Sequence, residues 1–411
     1  MLSLLPAELC DRIIDFVHDK RSLSNCSLVA KSWVAAARYH LFSSPRIFCG
    51  RDFDQTHARY LNSAPEGALL CAKHLSIIGV RHQTHRYSRE TTILCSTIMD
   101  IIQTFPNVES IVLTDLQIVS TSMGDHDIPI RQPLRSLRSL VLDRISYAYA
   151  PSTITKEKRL FATLFQSFHS IEVFHIVENT FRPFGGDYGT PVSIPINSLR
   201  LRGLSSGGST ALVRFRASRP LLAFSFDPPT QSEFSTLSHP HAVDIFEHLR
   251  TLELCIDRCI GKYLMLNATA SHVPAAEWSL SFAAFPAVNH LIINAFPKFG
   301  SYGDAFIVAI IDILSVIVRS AHEPGNLGIL RALTLKLPTF RPPVSEERWS
   351  ELGKTLCLLK ETRHLCDMRI QIKSDVLKRS FEAPQRELME VRLRPLFLDG
   401  TLKYETHREF F

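Results

Sequence analysis

A short all-α segment followed by a long α/β array with a parallel inner sheet is the architecture predicted for this chain. Three observations predict it. Apolar residues in the first forty-odd positions recur at helical spacing. From residue 72 to residue 373 the pattern apolar-x-x-apolar-x-apolar returns at intervals of roughly 25 to 42 residues, the period of stacked supersecondary units. Stretches of helical character lie between the copies, so each helix crosses back and successive strands run parallel.

The helices come first. Pro6 suits a first helical turn, where its missing N–H would be unpaired anyway. Glu8 follows at the positive end of the helix dipole. Leu9, Ile13, Phe16 and Val17 then form one apolar stripe, with Asp11, Arg12 and Asp15 on the other side. Ser22 is placed to cap a second short helix carrying Leu23 and Cys26. A third helix is predicted from near Leu28, with Val29, Trp33, Ala36, Ala37 and Leu41 at its apolar positions. A piece of about 45 residues rarely buries enough surface to stand alone, so some of these side chains are left for a partner.

Leu5-Pro6-x-Glu8-Leu9, then Ile13, then Leu28-Val29-Ala30-Lys31-Ser32-Trp33, resemble the F-box. The motif is specific as a whole and weak in each part; Ala30 stands where the family usually has Cys. The resemblance covers residues 1–45 and implies docking on the Skp-type adaptor of a cullin–RING ubiquitin ligase. It implies Leu5, Pro6, Leu9, Ile13, Leu28, Val29 and Trp33 as the docking residues. The bland alternative is that these side chains form only the core of a helical cap. The segment from Ser63 to Gly79 is similar, loosely, to the way F-box proteins of mushroom-type fungi leave the F-box.

Residues 46–71 are predicted as a helical linker, with a helix from Arg51 to Asn62. The recurring triplets then run Ala72-Leu75-Ile77, Val108-Ile111-Leu113, Leu137-Leu140-Leu142, Ile171-Phe174-Ile176 and Ile196-Leu199-Leu201. They continue as Leu221-Phe224-Phe226, Leu249-Leu252-Leu254, Val288-Leu291-Ile293, Leu330-Leu333-Leu335 and Leu365-Met368-Ile370. Their alternating ends suit short strands with one buried face. Helices are predicted over Thr92–Gln103, Lys156–Phe168, Asp304–Ser320 and Glu346–Glu361. Phe105-Pro106 and Phe285-Pro286 stop a helix and hand the chain to a strand, because proline disfavours helix at the residue before it. Residues 72–373 thus resemble a degenerate leucine-rich-repeat solenoid; an ordinary α/β domain with a parallel sheet is the alternative. Stretches 123–132, 182–195, 205–209 and 227–240 read as long loops, and 374–411 as a terminal cap with a loosely held tail.

Composition narrows the function. The 411 residues are 45% hydrophobic with a net charge of +6, which fits a globular protein and no nucleic-acid stripe. The nine cysteines lack framework spacing, and Cys255-x-x-x-Cys259 has no second pair to complete a zinc set. Reduced thiols in cytoplasm or nucleus are the expectation. The start has no basic leader, and the most apolar stretch, from Ala305 to Val318, contains Asp312 and is too short to cross a bilayer.

Gly203-Leu204-Ser205-Ser206-Gly207 matches the nucleophile-elbow spacing, with Ser205 as the nucleophile of a serine hydrolase. Gly208 and Ser209 prolong the loop where an elbow enters a helix at once, so a Gly/Ser loop is the plainer reading. His82-x-x-His85 and His239-Pro240-His241 are too sparse for a metal site. No phosphate-binding or zinc-protease motif is present. The expectation is a non-catalytic substrate receptor without cofactor, bound through the adaptor to cullin and RING subunits. Its client would bind the inner face of the array. Outward strand positions there include Ser139, Val141, Thr251, Ile292, Thr334 and Gln371, and the charged set Arg200, Arg202, Glu253, His290, Lys336 and Arg369 is the candidate client site. A repeat scaffold without a role in degradation is the alternative.

Overall fold

The computed structural model describes residues 6–17, 19–50, 66–80, 91–119, 135–147, 168–177, 192–194, 196–202, 215–217, 221–226, 246–256, 285, 287–295, 303–319, 330–338, 340, 344–373 and 379–407. The chain is mixed α/β and divides into two compact units, residues 1–180 with 186–195, and 181–185 with 196–411.

The first unit begins with α1 (Ala7–Asp15), α2 (Lys20–Val29) and α3 (Lys31–Phe42). The chain continues through β1 (Arg46–Cys49), α4 (Glu66–Cys71), β2 (His74–Gly79), β3 (Thr91–Leu94) and α5 (Cys95–Thr104). β4 (Ser110–Thr114), β5 (Leu116–Val119), β6 (Arg135–Asp143), β7 (Ser146–Tyr147), β8 (Phe168–Val177) and β9 (Val192–Ile194) follow. Its main sheet runs in the order β1, β2, β4, β6, β8, with all four pairings parallel. A smaller parallel sheet holds β3, β5 and β7.

The second unit contains β10 (Ile196–Arg202), β11 (Phe215–Ala217), β12 (Ala223–Phe226), β13 (Thr251–Cys255), β14 (His290–Asn294) and α6 (Gly303–Arg319). After these come β15 (Ala332–Leu337), α7 (Glu346–Arg363), β16 (Asp367–Lys373), α8 (Arg379–Arg392), α9 (Arg394–Leu398) and β17 (Leu402–His407). The ladder β10, β12, β13, β14, β15, β16, β17 is parallel throughout.

The triplets set the register. In the first unit Leu75 pairs with Ile111, Ile111 with Leu140, and Leu140 with Phe174. In the second, Leu199, Phe224, Leu252, Leu291, Leu333 and Met368 pair in succession. All these side chains are buried, each contributing about 1.5–3 kcal/mol through removal from water. A one-residue slip would turn every one of them to the other face.

One backbone device recurs where a strand begins. The carbonyl that follows the first apolar residue of a triplet accepts two successive N–H groups from the next copy. Lys73 O thus takes the N–H groups of Glu109 and Ser110, Arg250 O those of Asn289 and His290, and Arg331 O those of Cys366 and Asp367. A tight turn precedes several strands. Val108, Leu249 and Val288 each donate their N–H to the carbonyl of a phenylalanine three residues earlier: Phe105, Phe246 and Phe285. These rings are buried, and Phe246 lies between Phe224 and Phe285 at centroid distances of 4.9 and 5.0 Å.

Strand exits in the first unit use left-handed residues. Asp115 (φ 55°) and Arg144 (φ 52°) turn the chain from the main sheet into β5 and β7, while Leu116 and Ile145 fill the core beneath. Gly79 lies against this turn: a Cβ there would fall 1.9 Å from the Asp115 carbonyl oxygen.

Several predicted elements are corrected. Asp19, not Ser22, caps α2; its carboxylate accepts the Ser22 N–H at 2.7 Å. Leu28 and Val29 close α2 rather than open α3, because Ala30 is extended (φ −152°) and breaks the helix there. The linker segment opens with a strand, β1, since Ile47 and Cys49 bury against β2; the helix placed over residues 51–62 lies outside the described residues. Thr92–Leu94, assigned to a helix, belong to β3, and Phe168, assigned to a helix end, opens β8. The 182–195 loop contains β9. Residues 379–407 form two helices and then β17, which extends the ladder.

Candidate functional site

Two surfaces, one in each unit, carry the residues singled out by the sequence. The first is helical. Ile14, Leu23 and Ala37 form its buried centre, with Val17, Cys26, Trp33, Ala36 and Leu41 packed around them. Cys10 is buried as well. α1 is fastened to α3 by His40 Nε2 and Asp15 Oδ1, 2.7 Å apart.

This leaves the Leu9–Ile13–Phe16 row, spaced i, i+4, i+7, on another face of α1. Those three and Leu28 and Val29 at the end of α2 are 45–83% exposed. Pro6 is exposed at the N-cap and accepts the N–H groups of Leu9 and Cys10. Trp33 is half-buried against the helical core, and its indole Nε1 is buried with no partner among the described residues. Leu5 lies outside the described residues. Phe16, absent from the motif positions, joins Leu9 and Ile13 by its i+7 spacing and by its exposure.

The second surface is the sheet face opposite the triplet side chains in the second unit. Alternation places Arg200, Ser225, Glu253, Ile292, Thr334, Arg369 and Lys403 in one row across the ladder. Cys255, Asn294, Lys336, Gln371 and Glu405 make the next. Glu253 accepts from Lys336 Nζ at 2.8 Å and from Asn294 Nδ2 at 2.9 Å. Burial acts to raise its carboxyl, but the Lys336 ammonium, both hydrogen bonds and the Arg200 charge outweigh that and hold it below the usual carboxylate range. His290 Nε2 lies 2.9 Å from the Thr334 hydroxyl, and burial, with Arg369 and Lys336 nearby, keeps the imidazole below its ordinary value.

Arg369 donates to Asp367 at 2.8 Å and to Glu405 at 3.4 Å, while Gln371 donates to Glu405 at 2.9 Å. The guanidinium hydrogen bond is the main reason that Asp367 sits below the usual carboxylate range. Of the sequence-predicted client residues, Glu253 and Lys336 are thus in direct contact, and Arg200, Glu253 and Arg369 share one row. Arg202 is placed on β10 by its backbone alone. Asp367, Lys403 and Glu405 were missed. Alternation within residues 402–407 could have found the last two, but Asp399 stands where the triplet requires an apolar residue, so the pattern does not register there.

Ser205 and the histidines at 82, 85, 239 and 241 lie outside the described residues, as does Cys259. Among the described residues, no group of three or more His, Cys, Asp or Glu side chains could hold a metal ion. No helix among them is long and apolar enough to cross a membrane. No protein-family model matches the chain, and no curated protein matches it in sequence.

Proposed function

We propose that the protein is the substrate-receptor subunit of a cullin–RING ubiquitin ligase. Its N-terminal F-box docks on a Skp-type adaptor, and a leucine-rich-repeat-like solenoid binds a protein client. The observation that carries this reading is the split within the first three helices. Cys10, Ile14, Leu23 and Ala37 are buried, whereas Leu9, Ile13, Leu28 and Val29, the positions matching the docking residues of the F-box, remain exposed. A cap folded only for its own core would bury those side chains. The uniform register of the triplets and the repeated carbonyl device support a solenoid.

The receptor supplies no reacting group. It raises the effective concentration of client lysines near the charged conjugating enzyme. Arg200, Glu253, His290, Lys336 and Arg369 offer a mixed-charge face for the client. Co-purification of the full chain with a Skp-type adaptor tests the proposal. Wild type should retain the adaptor, and a Leu9→Ala, Leu28→Ala variant should lose at least about a hundredfold in affinity, as hot-spot truncations do. Adaptor binding by neither protein, both being folded, would leave a repeat scaffold without a role in degradation.

A further inference from the structure

Where β13, β14, β15 and β16 begin, the carbonyls that take two N–H groups stand in one row. Leu222 O accepts from Arg250 and Thr251, and Arg250 O from Asn289 and His290. Asn289 O accepts from Arg331 and Ala332, and Arg331 O from Cys366 and Asp367. The row therefore reads Leu222, Arg250, Asn289, Arg331, Cys366. Neighbouring backbones in it are about 4.8 Å apart, which sets the two arginines about 10 Å apart. The first unit builds the same row from Lys73, Glu109 and Arg138: Lys73 O accepts from Glu109 and Ser110, and Glu109 O from Arg138 and Ser139.

The two rows differ in charge. In the first unit the signs alternate and the row neutralises itself: Lys73 Nζ lies 2.6 Å from Glu109 Oε1, and the Arg138 charge acts on Glu109 as well. In the second unit both charged residues are cations, with a neutral amide between them. Arg250 and Arg331 are exposed, and among the described residues neither guanidinium has a hydrogen bond or an ion pair. Nearby carboxylates do not answer them. Asp367 is held by Arg369 and Lys403, and Glu247 is exposed in the turn before β13. His248 and His364, also exposed, each precede the first apolar residue of a triplet and add further N–H donors. The fold gains nothing from two like charges in this row, where the alternation of the first unit gives attraction.

We propose that this row docks an acidic, extended peptide segment of a partner protein, with carboxylates on Arg250 and Arg331 and a polar group on Asn289 between them. Side chains on one face of an extended chain recur about every 6.7 Å. Two long side chains rooted about 10 Å apart reach that spacing. The planar guanidinium offers a carboxylate two parallel N–H donors, which an ammonium does not. The row holds only two free cations, and a nucleic acid needs a longer basic track for its phosphates. The site differs from the mixed-charge inner face, where Lys336 and Arg369 are already engaged by Glu253 and Asp367. It does not depend on adaptor docking, so the chain alone serves for the test.

The test is fluorescence anisotropy of the full chain with a labelled peptide of alternating glutamate and serine. Wild type binds it, and affinity falls as salt rises, the mark of exposed charge pairs. Arg250→Gln and Arg331→Gln each lower affinity about fivefold. Lys354→Glu, at an exposed position of α7 outside the row, changes the net charge by more and leaves binding as it was. The double variant Arg250→Glu, Arg331→Glu loses the acidic peptide and gains the lysine–serine peptide; that gain shows that the variant folds and locates the site. A wild type that does not bind the acidic peptide overturns the proposal. So does binding indifferent to both arginines, or weakened equally by Lys354→Glu. Tighter binding of a single-stranded oligonucleotide through the same arginines would overturn it in favour of a nucleic-acid site.

Discussion

Ile13 and Ile14 are neighbours with opposite fates, and the contrast can be measured. Ile14 is fully buried against Leu23 and Ala37, whereas Ile13 is 45% exposed. Ile14→Ala removes three carbons from the centre of a small cluster. Lost transfer free energy and the residual cavity together cost about 3 kcal/mol, or roughly a hundredfold in the local opening equilibrium. Ile13→Ala removes the same atoms from a half-exposed site and should cost under about 1 kcal/mol. Hydrogen exchange of peptides from residues 7–42 reports each effect on the helical segment, independently of unfolding elsewhere. Adaptor affinity should move the other way: Ile13→Ala weakens binding while exchange stays near wild type. Equal loss of protection in both variants would refute the assignment of faces. Unchanged adaptor binding by Ile13→Ala would refute its role in docking.

Two further outcomes follow from the sheet. Gly79→Ala drives a Cβ against the Asp115 carbonyl oxygen, a backbone atom that cannot rotate away; it should cost about 3 kcal/mol, read as faster exchange in β2 and β4. The Glu253 carboxyl is held below the usual carboxylate range in the folded protein by Lys336, Asn294 and Arg200, against the effect of burial. Its contribution to stability is therefore present above the unfolded pKa and lost as pH falls through the lower, folded one. Glu253→Gln should flatten that part of the acid limb of a denaturation profile; an unchanged limb would mean that Lys336 does not hold the carboxylate.

The sheet was legible because its signal is redundant. Ten copies of the triplet each place apolar atoms at the same offsets, and burial on one face leaves a single register open to them. The corrected elements are those where that redundancy fails. β17 lacks the leading apolar residue, and β3 lies beside a helix whose apolar period runs on through Thr92–Leu94 without marking the boundary. Residues 46–49 were assigned to a linker, although Ile47 and Cys49 alternate, because four residues are too few to carry a period.

The candidate sites divide in the same way. The sequence by itself determined the alternation that puts Arg200, Glu253, Lys336 and Arg369 on one face, because side-chain direction in a strand is a local property. It also determined which N-terminal positions are apolar. Only the tertiary structure decided that Ile14 is buried and Ile13 is not, since their chemistry is identical and the choice depends on where α3 packs. It decided likewise that Glu253 meets Lys336 across 83 positions of chain. Contacts of that kind are set by the register of distant strands, which the collective burial of the triplets fixes and no single residue encodes.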